Sequence, residues 1–280
     1  MQTTAESTLS NSAQLDDVAE LLSVGDVAVL TGAGISTDSG IPDYRGPGSP
    51  PRAPMTYQEF VTPHGRQRYW ARSFVGFQRM RGAAPNAGHR AVAELEELGL
   101  LRGVITQNVD GLHQEAGARQ VIDLHGRIDR VICLTCSRLS SRTAYQQLLA
   151  LLNPGADGGH EVDLAPDGDA VIDDTGTFVV ADCDHCGGVL KPDVVFFGES
   201  VPPATVAAST AVVEKASALL VLGSSLTVYS GRRFARQAHL RGIPIIVINR
   251  GPTRADEFAS VRIEGGISST LIALTDRLAG

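Results

Sequence analysis

Lysine is nearly missing from this 280-residue chain: of 24 basic residues only Lys191 and Lys215 are lysines, and the rest are arginines. Abundant Ala and Gly accompany that bias, as codon drift in a G+C-rich genome would produce. No apolar run approaches the roughly 18 residues a membrane helix needs, which excludes a helical membrane span. The first 14 residues hold no Lys or Arg and no apolar core. They read as a disordered tail, not as a secretory signal or a mitochondrial transit peptide. Positive charge is also short overall: 24 − 31 gives a net charge of −7. That balance opposes broad binding to nucleic acid or to an anionic membrane. Cysteine is confined to four positions with none left over, which suits a reducing cytoplasm. A cytoplasmic monomer is the expectation. No internal repeat is apparent.

What is present begins with the cysteines. Cys133-x-x-Cys136 and Cys183-x-x-Cys186 are separated by residues 137–182. Each pair sets two thiolates on one tight turn, and two such turns complete a tetrahedron around zinc. Disulfides are the alternative use, which the absence of an export signal disfavours. Four thiolates leave no open coordination position, so the zinc would be structural. Charge is uneven too. Residues 45–81 hold seven arginines (Arg45, Arg52, Arg66, Arg68, Arg72, Arg79 and Arg81) against one acid, Glu59. That patch suits phosphates or an acidic acyl group, or is a solvated face.

Hydrophobic patterning predicts an α/β protein with a Rossmann-like, doubly wound parallel sheet. Apolar runs at Val27–Leu30, Val104–Thr106, Val121–Leu124, Ala218–Leu222 and Ile243–Ile248 read as strands buried on both faces. Helical patterns fall at Leu15–Leu22, Asn86–Leu100, Gly231–Leu240 and Ser268–Leu278, and Val261–Ile263 adds a last short strand. Residues 127–190 break this rhythm and read as an inserted zinc module with a polar stretch, Asn153–Thr177. Residues 45–85 form a second excursion, helical near Tyr57–Gln78. The large domain is therefore expected over 15–126 and 191–280.

The first strand runs into Gly32 and Gly34, where glycines let backbone N–H groups approach an anion that side chains would block. Thr37 occupies the third slot of a G-x-G-x-x-G pattern, so a plain tight turn is equally open on these residues alone. His125 follows a strand at its carboxyl end, where open α/β sheets place ligands, and its proton affinity suits a general base. Gln107, Asn108 and Asp110 leave another strand end and can hydrogen-bond ribose or an amide. Gly223-Ser224-Ser225 and Asn249 end two more. Such strand ends recurring on four strands favour one shared cleft. The ribose-binding acid of a hydride-transferring dehydrogenase is not evident, which disfavours that class.

In order along the chain stand GAGIST and SGIPDYRG (32–46), TQNVDGLH (106–113), LHG (124–126), the two Cys-x-x-Cys pairs, KPDVVFFGE (191–199) and GSSL (223–226). This series, covering about residues 15–278, resembles the sirtuins, NAD-dependent protein-lysine deacylases. RQRYWAR (66–72), LAPDGD (164–169) and GPTR (251–254) resemble the class II branch, which includes a mitochondrial member. The resemblance implies that NAD is consumed as co-substrate and that acyl-lysine proteins are the partners. It makes His125 the general base and has Asn108 position the nicotinamide ribose while Asp110 grips the nicotinamide amide. Gly32, Ala33, Gly34, Ser36, Asp43, Tyr44, Arg45, Gln107, Gly223, Ser224, Ser225, Asn249, Arg250 and Gly251 complete the implied NAD site. Tyr44 stands where many relatives carry Phe, and class II members also use Tyr. Val195, Phe196, Phe197 and Gly198, with the loop around Val228–Gly231, would sandwich the substrate as an added β-strand. Tyr69 and Arg72, three apart on a helix, resemble the pair that binds carboxylated acyl chains in desuccinylating sirtuins. Trp70 and the following loop depart from that branch, which leaves the pair open to a structural role. ADP-ribosyl transfer to protein or lipoyl removal would use the same NAD site. A non-catalytic zinc-ribbon module is the remaining alternative.

Overall fold

The computed structural model describes residues 2–44, 54–156 and 175–279. Arg45, Arg52, the 164–169 motif, most of the polar insert and the side chain of Arg79 lie outside the described residues. The chain runs α1 (Gln2–Ser23), β1 (Val27–Thr31), α2 (Tyr57–Phe60), α3 (Pro63–Gly82), α4 (Ala87–Glu97), β2 (Leu101–Thr106), α5 (Leu112–Glu115), β3 (Val121–Asp123), β4 (Gly126–Cys133) and β5 (Leu139–Ser141). It continues through α6 (Arg142–Leu152), β6 (Leu190–Val194), α7 (Pro203–Glu214), β7 (Ala218–Leu222), α8 (Tyr229–Arg241), β8 (Ile245–Asn249), β9 (Val261–Glu264) and α9 (Ile267–Leu278).

Six strands make one sheet in the order β3-β2-β1-β7-β8-β9. All its pairs are parallel. Counted among the parallel strands alone this is the 3-2-1-4-5-6 order of a doubly wound fold, with its switch point between β1 and β7. The strands alternate faces. Val27 and Val29 pack with Leu95 of α4 and Leu271 of α9. Ala28 and Leu30 pack with Val213 of α7 and Phe234 of α8. Burial on both faces is why these strands are unbroken apolar runs.

A smaller antiparallel sheet, β5-β4-β6, carries the cysteines. β6 pairs with β4 rather than with the large sheet. The two excursions share a core. Phe60, Tyr69, Trp70 and Phe74 from α2 and α3 pack with Val131, Tyr145, Leu149 and Phe178 of the zinc module. Trp70 donates its indole N–H to the Leu190 carbonyl at 3.2 Å. Thr62 caps α3 through the Gly65 N–H, with Pro63 in the first turn.

α1 spans Gln2–Ser23, a stretch that no Pro or Gly interrupts. Its later residues are docked, with Gln14 donating to the Arg262 carbonyl and Arg277 reaching Asp16 at 2.8 Å. α7 has no counterpart among the sequence patterns. Its Ala, Val and Thr are spread around the helix, leaving no apolar stripe to read. Among the described residues no helix is long and apolar enough to cross a membrane.

Candidate active site

A cavity of about 1070 Å³ lies across the carboxyl ends of the parallel strands, walled opposite by α3 and the Val194–Val201 segment. Its position is the one that chain topology assigns to ligands in open α/β sheets.

Gly32 and Gly34 line it, but their N–H groups donate to the carbonyls of Leu222 and Gly223. The structural need is close approach of two loops. A Cβ at Gly32 would meet Ser224 Cβ at 2.7 Å, and one at Gly34 would meet Gly223 Cα at 2.8 Å. Gly223 adds a left-handed φ of +60° and sits 2.5 Å from the Ile35 nitrogen by the same measure. Both glycine amides are thus engaged by the β7 loop, and Ala33 between them stays on the cavity wall.

His125 stands two residues beyond β3. Its Nδ1 lies 2.9 Å from the Gln107 carbonyl, and its Nε2 lies 2.8 Å from the Ser230 hydroxyl. A carbonyl only accepts, so Nδ1 carries the proton and Nε2 is the basic nitrogen, accepting from Ser230. Burial pushes the His125 pKa below its ordinary 6.5, opposed by the Gln107 bond.

Behind it lies a polar network. Asn108 Nδ2 donates to the Gly32 carbonyl at 3.1 Å and to Ser36 Oγ at 3.0 Å. Ser36 donates to Asp110 at 2.7 Å, and Asp110 also accepts the Leu112 N–H at 3.0 Å. Gln107 Nε2 bridges the Thr31 carbonyl and Ser224 Oγ, tying β1 to the β7 loop. Asn249 folds the turn after β8 by donating to the Arg250 and Gly251 carbonyls.

Sequence reasoning missed three residues here. Ser230 escapes notice because nothing local marks a serine as the partner of a histidine 105 positions away. His89 lies buried behind Ser36, 3.4 Å from its hydroxyl, and packs edge-on against His113 with ring centroids 5.0 Å apart. Burial drives His89 down to about 4 and His113 to about 3, so both are neutral. The Asn86-x-x-His89 spacing, a capping box at the start of α4, was the available signal for His89.

On the opposite wall, Val195 donates its N–H to the His125 carbonyl at 2.8 Å, and Gly198 turns with φ +78°. Beneath this loop the buried Lys191 donates to the Val194 carbonyl and to Glu199 at 3.1 Å, and Glu199 accepts the Phe196 N–H at 2.9 Å. That ion pair fixes the loop.

The structure brings all the sequence-derived ligand residues among the described positions to this cavity, with one exception. Tyr69 lines it, packed between Phe60 and Phe196. Arg72 does not line it. Arg45 lies outside the described residues.

The thiol sulfurs of Cys133, Cys136, Cys183 and Cys186 all lie within 4.8 Å of one another. Cys133 and Cys186 are 3.5 Å apart and Cys136 and Cys183 3.9 Å. Tetrahedral zinc with bonds of about 2.3 Å spaces its sulfurs at roughly 3.8 Å, whereas a disulfide needs about 2.05 Å. Ser137 and Gly187 turn the two loops back with φ of 59° and 68° and donate to the Cys133 and Cys183 carbonyls. Hydrogen bonding from the Cys136 backbone, helped by Thr135, holds the Cys133 thiol down at about 6. The donor set fits one structural zinc.

A doubly wound sheet with a cleft at its switch point and a four-thiolate insert defines a dinucleotide-type α/β protein. Residues 32–230 match the Sir2 family, and the chain belongs to that family. It is 56% identical over 259 residues to NAD-dependent protein deacetylase 1 of Mycobacterium avium (strain 104), covering 90% of this chain and 91% of that one. An NAD-dependent protein deacetylase 1 of Streptomyces coelicolor is 52% identical over 269 residues, covering 94% and 90%. Among solved structures, a Sir2 protein with a p53 peptide and NAD+ superposes with a TM-score of 0.74 at 31% identity, covering 93% of this chain and 97% of that one.

Proposed function

We propose that this chain is an NAD-dependent protein-lysine deacylase that passes the acyl group of a modified lysine to ADP-ribose. The observation that carries the reading is His125, held as a neutral base by Gln107 and Ser230 at the centre of the cleft. The names of the bacterial deacetylase relatives support it. NAD is consumed as co-substrate and supplies the ribose on which nicotinamide is replaced by the acyl-bearing oxygen. At about 1070 Å³ the cleft is at the large end of the roughly 300–1,000 Å³ range of small-molecule pockets, which suits a dinucleotide.

In this reading His125 Nε2 accepts a proton from a ribose hydroxyl, exchanging Ser230 for substrate as its hydrogen-bond partner. Asn108 has both amide hydrogens engaged by Gly32 and Ser36, which leaves its carbonyl oxygen to accept from a ribose hydroxyl. Asp110, steadied by Ser36 and Leu112, keeps lone pairs for the nicotinamide amide. The Val195–Gly198 and Val228–Ser230 walls receive the peptide backbone as an added strand. Tyr44 and Gly251-Pro252-Thr253-Arg254 support the class II branch, and the single cluster of four unpaired cysteines supports a cytoplasmic setting.

The reading is tested by nicotinamide release across acetyl, longer fatty, lipoyl and acidic acyl-lysine peptides. Release that no acyl peptide stimulates would end it. The activity should also depend on pH in a specific way. The base works unprotonated and burial lowers its pKa, so the acidic limb of kcat/KM is expected to have its midpoint below 6.5. A midpoint above 6.5 would assign that limb to another group.

Acyl choice depends on the cavity wall. With Tyr69 on it and Arg72 off it, Arg72→Met is expected to change acetyl and succinyl turnover alike. A loss confined to succinyl, glutaryl or hydroxymethylglutaryl peptides, worth about 1.5–3 kcal/mol, would restore Arg72 as a carboxylate ligand.

A further inference from the structure

The deacylase reading uses the first residues of α8 and leaves the rest of its outer face without a role. Tyr229, Arg232, Arg233 and Arg236 fall at i, i+3, i+4 and i+7, so they lie along one face of the helix. The opposite face, with Phe234, Ala235 and Ala238, is buried in the large core. Four arginines and no acid fall on this helix in a chain of net charge −7, as five arginines and no acid do on α3. The placement also runs against the helix macrodipole. The first turn has no acid and no side-chain cap, and Arg232 and Arg233 come directly after it, where positive charge is disfavoured.

This face continues the active-site cleft. Tyr229, Ser230 and Arg233 line the large cavity, and Tyr229 and Arg233 also line a second depression of about 290 Å³ with Arg236. Glu214 of α7 stands on the same wall. Arg241 there is occupied, donating to the Val213 and Ala216 carbonyls. The guanidinium of Arg233 lies 5.1 Å from the Tyr229 ring and that of Arg232 6.0 Å, while Tyr229 is 56% exposed. The Nε of Arg233 is sealed from solvent without a hydrogen-bond acceptor. Among the described residues no carboxylate pairs with Arg232, Arg233 or Arg236. An exposed aromatic ring between guanidiniums, at the mouth of a peptide cleft, is a surface for carboxylates.

We infer that Arg232, Arg233 and Arg236, with Tyr229, form a subsite for an acidic stretch of the substrate protein flanking the acyl-lysine, so that this enzyme selects lysines in acidic surroundings. The inference rests on the deacylase reading for its choice of peptide. Ser230, which bonds His125, sits between the subsite and the cleft, so flanking acids seat the lysine against the reactive end.

The test measures binding of labelled acetyl-lysine peptides by fluorescence anisotropy, with Asp/Glu or with Ala/Gln in the residues flanking the lysine. The whole protein is used, with and without NAD. Wild type is expected to prefer the acidic peptide by about tenfold at low salt, the preference shrinking as salt rises. In Arg232→Gln/Arg236→Gln the ratio is expected to fall to about one, and in Arg236→Glu to fall further. Circular dichroism checks that each variant is folded, and Arg102→Gln/Arg119→Gln, which removes the same two charges away from both depressions, serves as a control in which the preference persists. No acidic preference in wild type, or a preference unchanged in the double variant, would overturn the subsite. Tighter binding of a single-stranded oligonucleotide, lost in the same variant, would overturn it in favour of nucleic acid. Anisotropy reads binding without turnover. A failed ratio therefore leaves deacylation standing, and absent nicotinamide release leaves the ratio readable.

Discussion

His125→Ala is expected to lower acyl-peptide turnover by about 10²-fold or more, the range for loss of a positioned general base, while the protein folds and binds NAD. The fold should survive because the imidazole is anchored by only two bonds, to the Gln107 carbonyl and the Ser230 hydroxyl, and both groups border a cavity that water can enter. NAD binding should survive because Asn108, Ser36 and Asp110 hold one another through bonds that do not include His125. Steady-state kinetics with an acetyl peptide, beside calorimetric titration with NAD, separates the two. Near-wild-type turnover would remove His125 from the mechanism. Lost NAD affinity with lost turnover would make it a binding residue.

The second large effect concerns the metal. Purified protein is expected to contain one zinc per chain, and chelation or Cys183→Ser should unfold the small domain. Structural zinc contributes about 10–16 kcal/mol of apparent binding free energy in isolated fingers, far above what the three-stranded sheet gains alone. The consequences should reach the acyl side of the cleft. Cys133 and Cys183 belong to the same core as Phe60, Tyr69, Trp70 and Phe196, and Tyr69 and Phe196 line the cavity. Peptide affinity should therefore fall with the metal. NAD affinity should fall less, since Gly223, Ser224 and Asn249 are held by the large sheet. Metal analysis, melting curves and the two titrations measure this. Active protein without zinc, or a disulfide at either cysteine pair, would contradict it.

These effects differ in how far the sequence announces them. Strands β1, β7 and β8 are legible because burial on both faces demands continuous Val, Leu, Ile and Ala, and the strand ends collect the small and polar residues that reach the cleft. The thiolate spacing is legible because the tetrahedron imposes it. What failed to show was set by distant partners. β6 carries Lys191, Pro192 and Asp193 and so offers no apolar run to read, and its pairing with β4 assigns it to the small sheet. Gly32 and Gly34 also admit the close approach of Gly223 and Ser224, which nothing near them in sequence announces. Tyr69 and Arg72 share a helix face by spacing, yet only Tyr69, held edge-on against Phe60 and Phe196, lines the cavity. The outward stripe of α8 is regular in sequence, but its continuity with the cleft exists only in the folded chain.

The central claim is that the cleft moves an acyl group from lysine to the ADP-ribose of NAD, and one measurement tests it most directly. An acetyl-lysine peptide, NAD and the enzyme are incubated together, and every product is weighed by mass spectrometry. Expected are free-lysine peptide, nicotinamide and acetylated ADP-ribose in equal amounts, all absent with His125→Ala. A peptide that keeps its acetyl group and gains the mass of ADP-ribose would contradict the account and make the protein an ADP-ribosyltransferase.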